Sequence, residues 1–129
     1  MTREEIASMI GSLEIPFAYY QFPEGTQLVP PFICFYYSGS SDMMADNINY
    51  QKIDHLVIEL YSKEKDFDLE AQLESALTGH DLTWARSEQY LDDEQLMVEV
   101  YDLDVIITED SENAAKPVFY ALYGSGKEE

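Results

Sequence analysis

The clearest pattern in the chain is an alternation of apolar and other residues between about Ile48 and Tyr61. Its second half separates into two sets, with Leu56, Ile58 and Leu60 on one side and His55, Val57, Glu59 and Tyr61 on the other. A period of two residues is that of a β-strand, and here one face of the strand is strongly apolar. We therefore expect a long strand that lies at the centre of a sheet.

Two other segments have the period of an α-helix. From Thr2 to Leu13, apolar residues recur at spacings of three and four, and Thr2 with Glu5 three residues later predicts a capping box. A second helix is predicted from Phe67 to Thr78, with Asp66 or Asp68 as its N-cap. Gly79 follows it, and we expect this glycine to end the helix in a left-handed conformation.

The remaining strands are shorter and are bounded by turn residues. They are predicted at Phe17 to Phe22, Phe32 to Tyr37, Leu82 to Leu91 and Leu96 to about Ile107. Asp92 and Asp93 form a tight turn between the last two, which predicts a hairpin. The segment from Ser38 to Asn47 is polar and small in composition and is predicted to be a loop.

The predicted order of elements is α-β-β-β-α-β-β. Few helices and frequent hairpins indicate an α+β fold with a mostly antiparallel sheet of four to five strands and two helices packed on one face. The other face carries tyrosines and charged residues, which suits a subunit contact. We expect one domain over residues 1–107. Residues 108–129 form an acidic linker and a C-terminal apolar segment, Lys116 to Tyr123, which is either docked or flexible.

The net charge of the chain limits the classes of molecule that it can bind. The 129 residues include 26 acidic and 7 basic side chains, a formal net charge of −19. Such a charge repels phosphates, which argues against nucleic-acid binding through a basic patch and against anionic membranes. A net charge of this size favours solubility, binding to a basic partner, or a place beside a channel that must not hold DNA tightly. With 46% hydrophobic residues, the chain is expected to bury a core.

No compartment signal is predicted. The N-terminal residues lack the pattern of a signal peptide, and no apolar run approaches the roughly 18 residues that span a bilayer. Cys34 is the single cysteine, so we expect a buried thiol and no internal disulfide. The protein is expected to come from a cytosolic pool.

Side chains with possible chemistry are scattered. His55 and His80 have no partner at metal-ligand spacing, and the serines near Gly39 do not form a nucleophile elbow. Acidic pairs such as Asp42 and Asp46, or the Asp92–Glu94 run, do not follow a calcium-loop pattern. We therefore predict no catalytic residues, no cofactor and no dedicated metal site. An enzyme would instead need a pocket that brings a histidine together with two carboxylates.

Several runs of the sequence resemble a known family. They are Pro31-Phe32-Ile33-Cys34-Phe35-Tyr36-Tyr37-Ser38-Gly39, Ala45-Asp46-Asn47, Tyr50-Gln51-Lys52, Ile58-Glu59-Leu60-Tyr61 and Lys65-Asp66. In these runs the chain is similar to tail terminator proteins, also called tail completion or tail-to-head joining proteins, of long-tailed phages and prophages of Gram-positive bacteria. The resemblance covers about Thr2 to Ile107.

The resemblance implies a structural role in the virion. Such a subunit forms a ring, typically a hexamer, on the head-proximal end of the tail tube. The ring ends tube growth and joins the tail to the head. Its implied partners are other copies of the chain, the tail tube protein and the head connector protein, while DNA passes through the lumen without specific binding.

The residues also suggest where contacts form. Eight residues of the 38–50 and 116–123 segments are predicted to lie at a subunit or partner interface, because these segments contain adaptable methionines and half-polar tyrosines. These residues are Met43, Met44, Asp46, Asn47, Tyr50, Phe119, Tyr120 and Tyr123. An alternative function, suggested by the charge of −19, is an acidic DNA mimic that inhibits a DNA-binding protein.

Overall fold

A computed structural model describes residues 1–41, 43–45 and 48–108 of the chain. The elements are α1 (Arg3–Gly11), β1 (Phe17–Tyr19), β2 (Phe32–Ser40), β3 (Met43–Ala45), β4 (Ile48–Ser62), α2 (Phe67–Gly79), β5 (Ala85–Leu91) and β6 (Leu96–Ile107). The α+β class and the predicted order of elements are confirmed, with one additional short strand.

The strands form one sheet in the order β1-β2-β4-β6-β5, and β3 pairs with the start of β4. The central position predicted for β4 is confirmed. The sheet is mixed, because β1 runs parallel to β2 whereas the other described pairs are antiparallel. The predicted hairpin of the last two strands is also confirmed, with β5 and β6 in continuous register from Ala85 opposite Asp102 to Leu91 opposite Leu96, although β5 begins at Ala85 and not at the predicted Leu82.

Both helices cover the same face of the sheet. Leu56, Ile58 and Leu60 of β4 are buried there, as their alternation predicts. They belong to one apolar cluster with residues of both helices, β2 and β6, among them Ile6, Ile10, Phe35, Leu73, Leu77 and Tyr101. Each of these large side chains loses nearly all of its exposed surface, which is worth about 1.5–3 kcal/mol per residue.

Local capping signals place the helix starts. Thr2 and Glu5 form the predicted capping box, and the side chain of Asp66 accepts a hydrogen bond from the Leu69 N–H at 3.0 Å. The prediction for Gly79 is wrong, because it is the last residue of α2 and is not left-handed. The left-handed residue is Asp81, with φ of 62°. Its N–H donates to the Thr78 carbonyl, so the chain turns two residues later than predicted.

The predictions for residues 17–47 need two corrections. β1 stops at Tyr19, because Tyr20 takes a left-handed conformation with φ of 70°. The predicted loop from Ser38 to Asn47 is partly strand: β2 continues to Ser40 and Met43–Ala45 forms β3. Gly39 and Ser40 pair with β4 despite their low strand propensity, because that propensity depends strongly on the neighbouring strand.

Charged residues form a cluster beside α2, on the helix-covered side of β5 and β6. We call it the ion cluster; it comprises Lys65, Glu70, Glu74, Arg86, Glu88 and Glu99. Lys65 Nζ lies 2.6 Å from Glu88 Oε1 and 3.1 Å from Glu70 Oε1. Arg86 donates to Glu99 Oε1 at 2.7 Å. The ion cluster therefore connects α2 to both strands of the hairpin.

Candidate assembly surface

The second face of the sheet carries no helix in the described part of the chain. We call it the open face; its central residues on β2, β4 and β6 are Phe32, Cys34, Tyr36, Val57, Glu59, Tyr61, Val98, Val100 and Asp102. The strand register sets them in rows, so that Cys34 lies beside Glu59 and Glu59 beside Val100. The residues of β4 in these rows are the non-leucine half of the alternation seen in the sequence.

Aromatic rings dominate one side of the open face. Phe32 stacks on Tyr61 with ring centroids 4.8 Å apart, and Phe22 meets Phe32 edge to face at 5.8 Å. Tyr20, which is 64% exposed, meets Tyr36 edge to face at 5.9 Å. The left-handed turn at Tyr20 ends β1 just before these contacts, and its N–H donates to the Phe35 carbonyl. The tyrosines among these rings, apolar with a hydroxyl at one end, suit a protein contact that is partly solvated.

Glu59 organises the hydroxyl groups of this surface. Its Oε2 accepts a hydrogen bond from Tyr36 at 3.1 Å, and its Oε1 accepts one from Tyr61 at 2.8 Å. Burial raises the pKa of both phenols, and the neighbouring Glu59 carboxylate raises these pKa values further. The two tyrosines therefore stay neutral donors at physiological pH, and the carboxylate is held between them.

Cys34 is buried in the same row, as predicted. Burial raises the pKa of its thiol from 9.0 to about 11, and the charge of Glu59 adds to this effect. A thiol that stays protonated at neutral pH is a poor nucleophile and a poor metal ligand. Cys34 therefore contributes packing to the open face rather than reactivity.

A chain of hydrogen bonds that the sequence did not reveal runs from Ser41, just after β2, across β4 to β6. Ser41 Oγ lies 3.0 Å from Nε2 of His55, and Nδ1 of His55 contacts Oδ1 of Asp104. Serine, histidine and aspartate follow here in the order of an acyl-transfer triad. The side chains of His55 and Asp104 are 39% and 65% exposed, however, and the Ser41 N–H donates to the Ile53 carbonyl, so this amide is not available to an oxyanion.

A groove between the two helices comes closest to the arrangement that an enzyme would need. His80 lines it together with Glu4 and Glu5. The Glu5 carboxylate is already engaged, because it accepts the Thr2 N–H at 2.8 Å in the capping box. Of the described contacts, none joins His80 to either carboxylate, so the groove holds no hydrogen-bonded acid–base pair.

The structure describes three of the residues that the sequence placed at an interface, and these three lie in the paired strands β3 and β4. Met43 and Met44 lie in β3, opposite Gln51 and Asn49 of β4, and Tyr50 lies in β4. The remaining predicted interface residues, Asp46, Asn47, Phe119, Tyr120 and Tyr123, fall outside the described residues. The aromatic group around Glu59 was not among the predicted interface residues. Its signal in the sequence is the pairing of aromatic residues at alternate positions of two neighbouring strands.

Three further findings concern this surface and the described chain as a whole. Among the described residues, no group of three or more His, Cys, Asp or Glu side chains is placed to bind a metal ion. Neither described helix has the length and apolar character needed to cross a membrane. A comparison with models of protein families finds no match, and a comparison with characterised proteins finds no significant sequence similarity.

Proposed function

We propose that this chain is a structural subunit of a phage virion, a tail terminator that forms a ring on the head-proximal end of the tail tube and joins the tail to the head. The observation that carries the proposal is the open face of the sheet. It carries aromatic rings around Glu59, opposite the face that the helices bury; Phe32 is buried, Tyr36 and Tyr61 are half-buried, and Tyr20 is 64% exposed. A surface of this composition suits contact with another protein.

The charge of the subunit fits this role. Each chain carries a net charge of −19. In a ring around a DNA channel, such subunits repel the DNA backbone, so the DNA passes without being held. The basic residues Lys65 and Arg86 are paired with carboxylates of the ion cluster.

The proposal is tested in the phage or prophage that encodes the chain. Deleting the gene should give tail tubes of uncontrolled length and heads without tails, because nothing ends tube growth. Negative-stain electron microscopy of lysates measures both. Supplying the chain from a plasmid should restore tailed particles. Normal tails of uniform length in the deletion strain would refute the proposal.

The alternative of a DNA-mimicking inhibitor rests on the same charge. Such an inhibitor displays carboxylates to its target, whereas several acids here are engaged within the chain. Glu59 accepts two tyrosine hydroxyls, and Glu70 and Glu99 contact Lys65. Tight binding to a restriction enzyme or nucleoid protein, together with normal tails in the deletion strain, would favour the inhibitor over the terminator.

A further inference from the structure

The outer edge of β5 is open in the part of the chain that the structure describes. β5 is the last strand of the sheet and pairs there with β6 alone. Six of its seven residues are exposed. An edge strand offers a row of unpaired N–H and C=O groups, and proteins commonly block it with charged residues, above all lysine, with proline or with a bulge. β5 contains no lysine or proline and its register with β6 is unbroken, so its charged residues Arg86 and Glu88 decide what can pair with this edge.

The sequence of this edge is complementary to itself. Two β5 strands that pair antiparallel about Ser87 place Arg86 of each copy opposite Glu88 of the other. The same register, continued one residue before the start of β5, places Trp84 opposite Tyr90, which is 50% exposed. Opposite charges and aromatic pairs across strands are both stabilising, by roughly 0.2–1 kcal/mol each.

The neighbouring registers lack this complementarity. Only shifts that keep the helices of both copies on the same side of the joined sheet are comparable. The two nearest such registers place Arg86 opposite Arg86 or Glu88 opposite Glu88. Like charges directly opposite one another are destabilising. Arg86 and Glu88 are 39% and 45% exposed, so part of each side chain is accessible to a second copy.

We propose that the edge of β5 pairs with β5 of a second copy of this chain, antiparallel and about a two-fold axis through Ser87. The two sheets then form one continuous sheet across the contact. A contact of this kind is complete with two copies and does not by itself build a ring. It is therefore separate from the ring proposed above and does not depend on that function.

Cysteine cross-linking in the full-length chain tests the register. Directly opposed residues have Cα atoms about 4.5–5.5 Å apart, which a disulfide can bridge. The variant Ser87→Cys should therefore form a covalent dimer under mild oxidation. The matched control, Gln89→Cys, changes the next exposed residue on the same face. Its two sulfurs would be offset by four residues, roughly 14 Å along the strand, and should not join.

Non-reducing gels and intact mass give the readout. A dimer with Ser87→Cys and not with Gln89→Cys supports the proposal. Equal cross-linking of both variants overturns the proposal. Absence of cross-linking in both also overturns it, and is the result expected if the segment from Lys116 to Tyr123 pairs with β5 instead.

A second pair of variants tests the same register without cysteine substitutions, in case these disturb folding. Ser87→Lys sets two lysines opposite each other on the axis, whereas Gln89→Lys adds the same charge opposite Ala85. Sedimentation equilibrium should show dimerisation weakened roughly fivefold more by Ser87→Lys than by Gln89→Lys. Equal affinities would overturn the proposed register.

Discussion

The ammonium group of Lys65 lies 2.9 Å from Oε2 of Glu99, a carboxylate with no exposed surface. Glu99 is opposite Glu88 in the β5–β6 register, so two carboxylates face each other and Lys65 contacts both. Burial raises the pKa of Glu99, although hydrogen bonds from Lys65 and Arg86 oppose this effect. The two cations thus stabilise a pair of acids that would otherwise repel one another.

Replacing Lys65 with methionine should destabilise the protein by about 3 kcal/mol, because one partner of a buried ion pair is removed and Glu99 stays behind. Urea unfolding followed by circular dichroism measures the change. Lys63→Met is the matched control, since Lys63 lies two residues away in the same loop and is exposed. It should change the free energy of unfolding by less than about 0.5 kcal/mol. Equal effects of the two substitutions would contradict a stabilising role for the Lys65 contacts.

The stability of the wild-type protein should fall between pH 9 and 11 because of Cys34. The unfolded thiol loses its proton near its ordinary pKa of 9.0, whereas the folded thiol keeps it to about pH 11. The unfolded state therefore binds fewer protons in this window, and the free energy of unfolding decreases as the pH rises. The loss should amount to about 2 kcal/mol.

Cys34→Ala isolates this contribution, because lysines and tyrosines also titrate at alkaline pH. Urea unfolding at pH 8 and at pH 11, under reducing conditions, should show a smaller alkaline loss in the variant than in the wild type. Identical losses would show that the thiol does not contribute.

Tyr20 provides a test of the open face as an assembly surface. Tyr20→Asn removes an exposed ring, and asparagine tolerates the left-handed conformation found there. The free energy of unfolding should change by no more than about 1 kcal/mol, while the yield of tailed particles falls. Phe67→Asn is the control, because Phe67 is 73% exposed at the start of α2 on the helix side of the molecule. If both variants support normal particle yields, the open face is not the contact.

Self-association should strengthen with salt. Each copy carries a charge of −19, and repulsion between copies is screened over a Debye length of roughly 8 Å at physiological ionic strength. Light scattering across a series of salt and magnesium concentrations should show monomers in dilute buffer and larger species as the concentrations rise. A stable hexamer in dilute buffer with a chelator would mean that repulsion does not control assembly.

Local patterns predicted much of the fold. The alternation around Ile58 identified β4, Thr2 identified the start of α1, and Asp66 was one of two N-caps considered for α2, because these signals depend only on neighbouring residues. The parallel pairing of β1 with β2 was not predictable in this way. A three-residue strand carries no mark of its partner's direction, and the correct pairing depends on how the connection from Tyr20 to Pro31 packs.

The contacts of the candidate site were harder to predict than its location. Tyr36 and Tyr61 occupy positions that alternate with core residues, so tyrosines were expected on the open face of the sheet. The contact of His55 with Asp104 was not, because it depends on the register between strands that lie 49 residues apart in sequence. A shift of one residue would have placed these side chains on opposite faces.

The position of β6 between β4 and β5 has a consequence for synthesis of the protein. β4 and β5 both precede β6 in the chain, yet each needs β6 as its neighbour. As the chain leaves the ribosome, α1 and strands β1 to β4 emerge with one edge of β4 unpaired, and β5 emerges before its only described partner. Pairing between distant segments is slow compared with local folding. The nascent chain should therefore be most prone to aggregation, and most responsive to chaperones, until residue 107 has emerged.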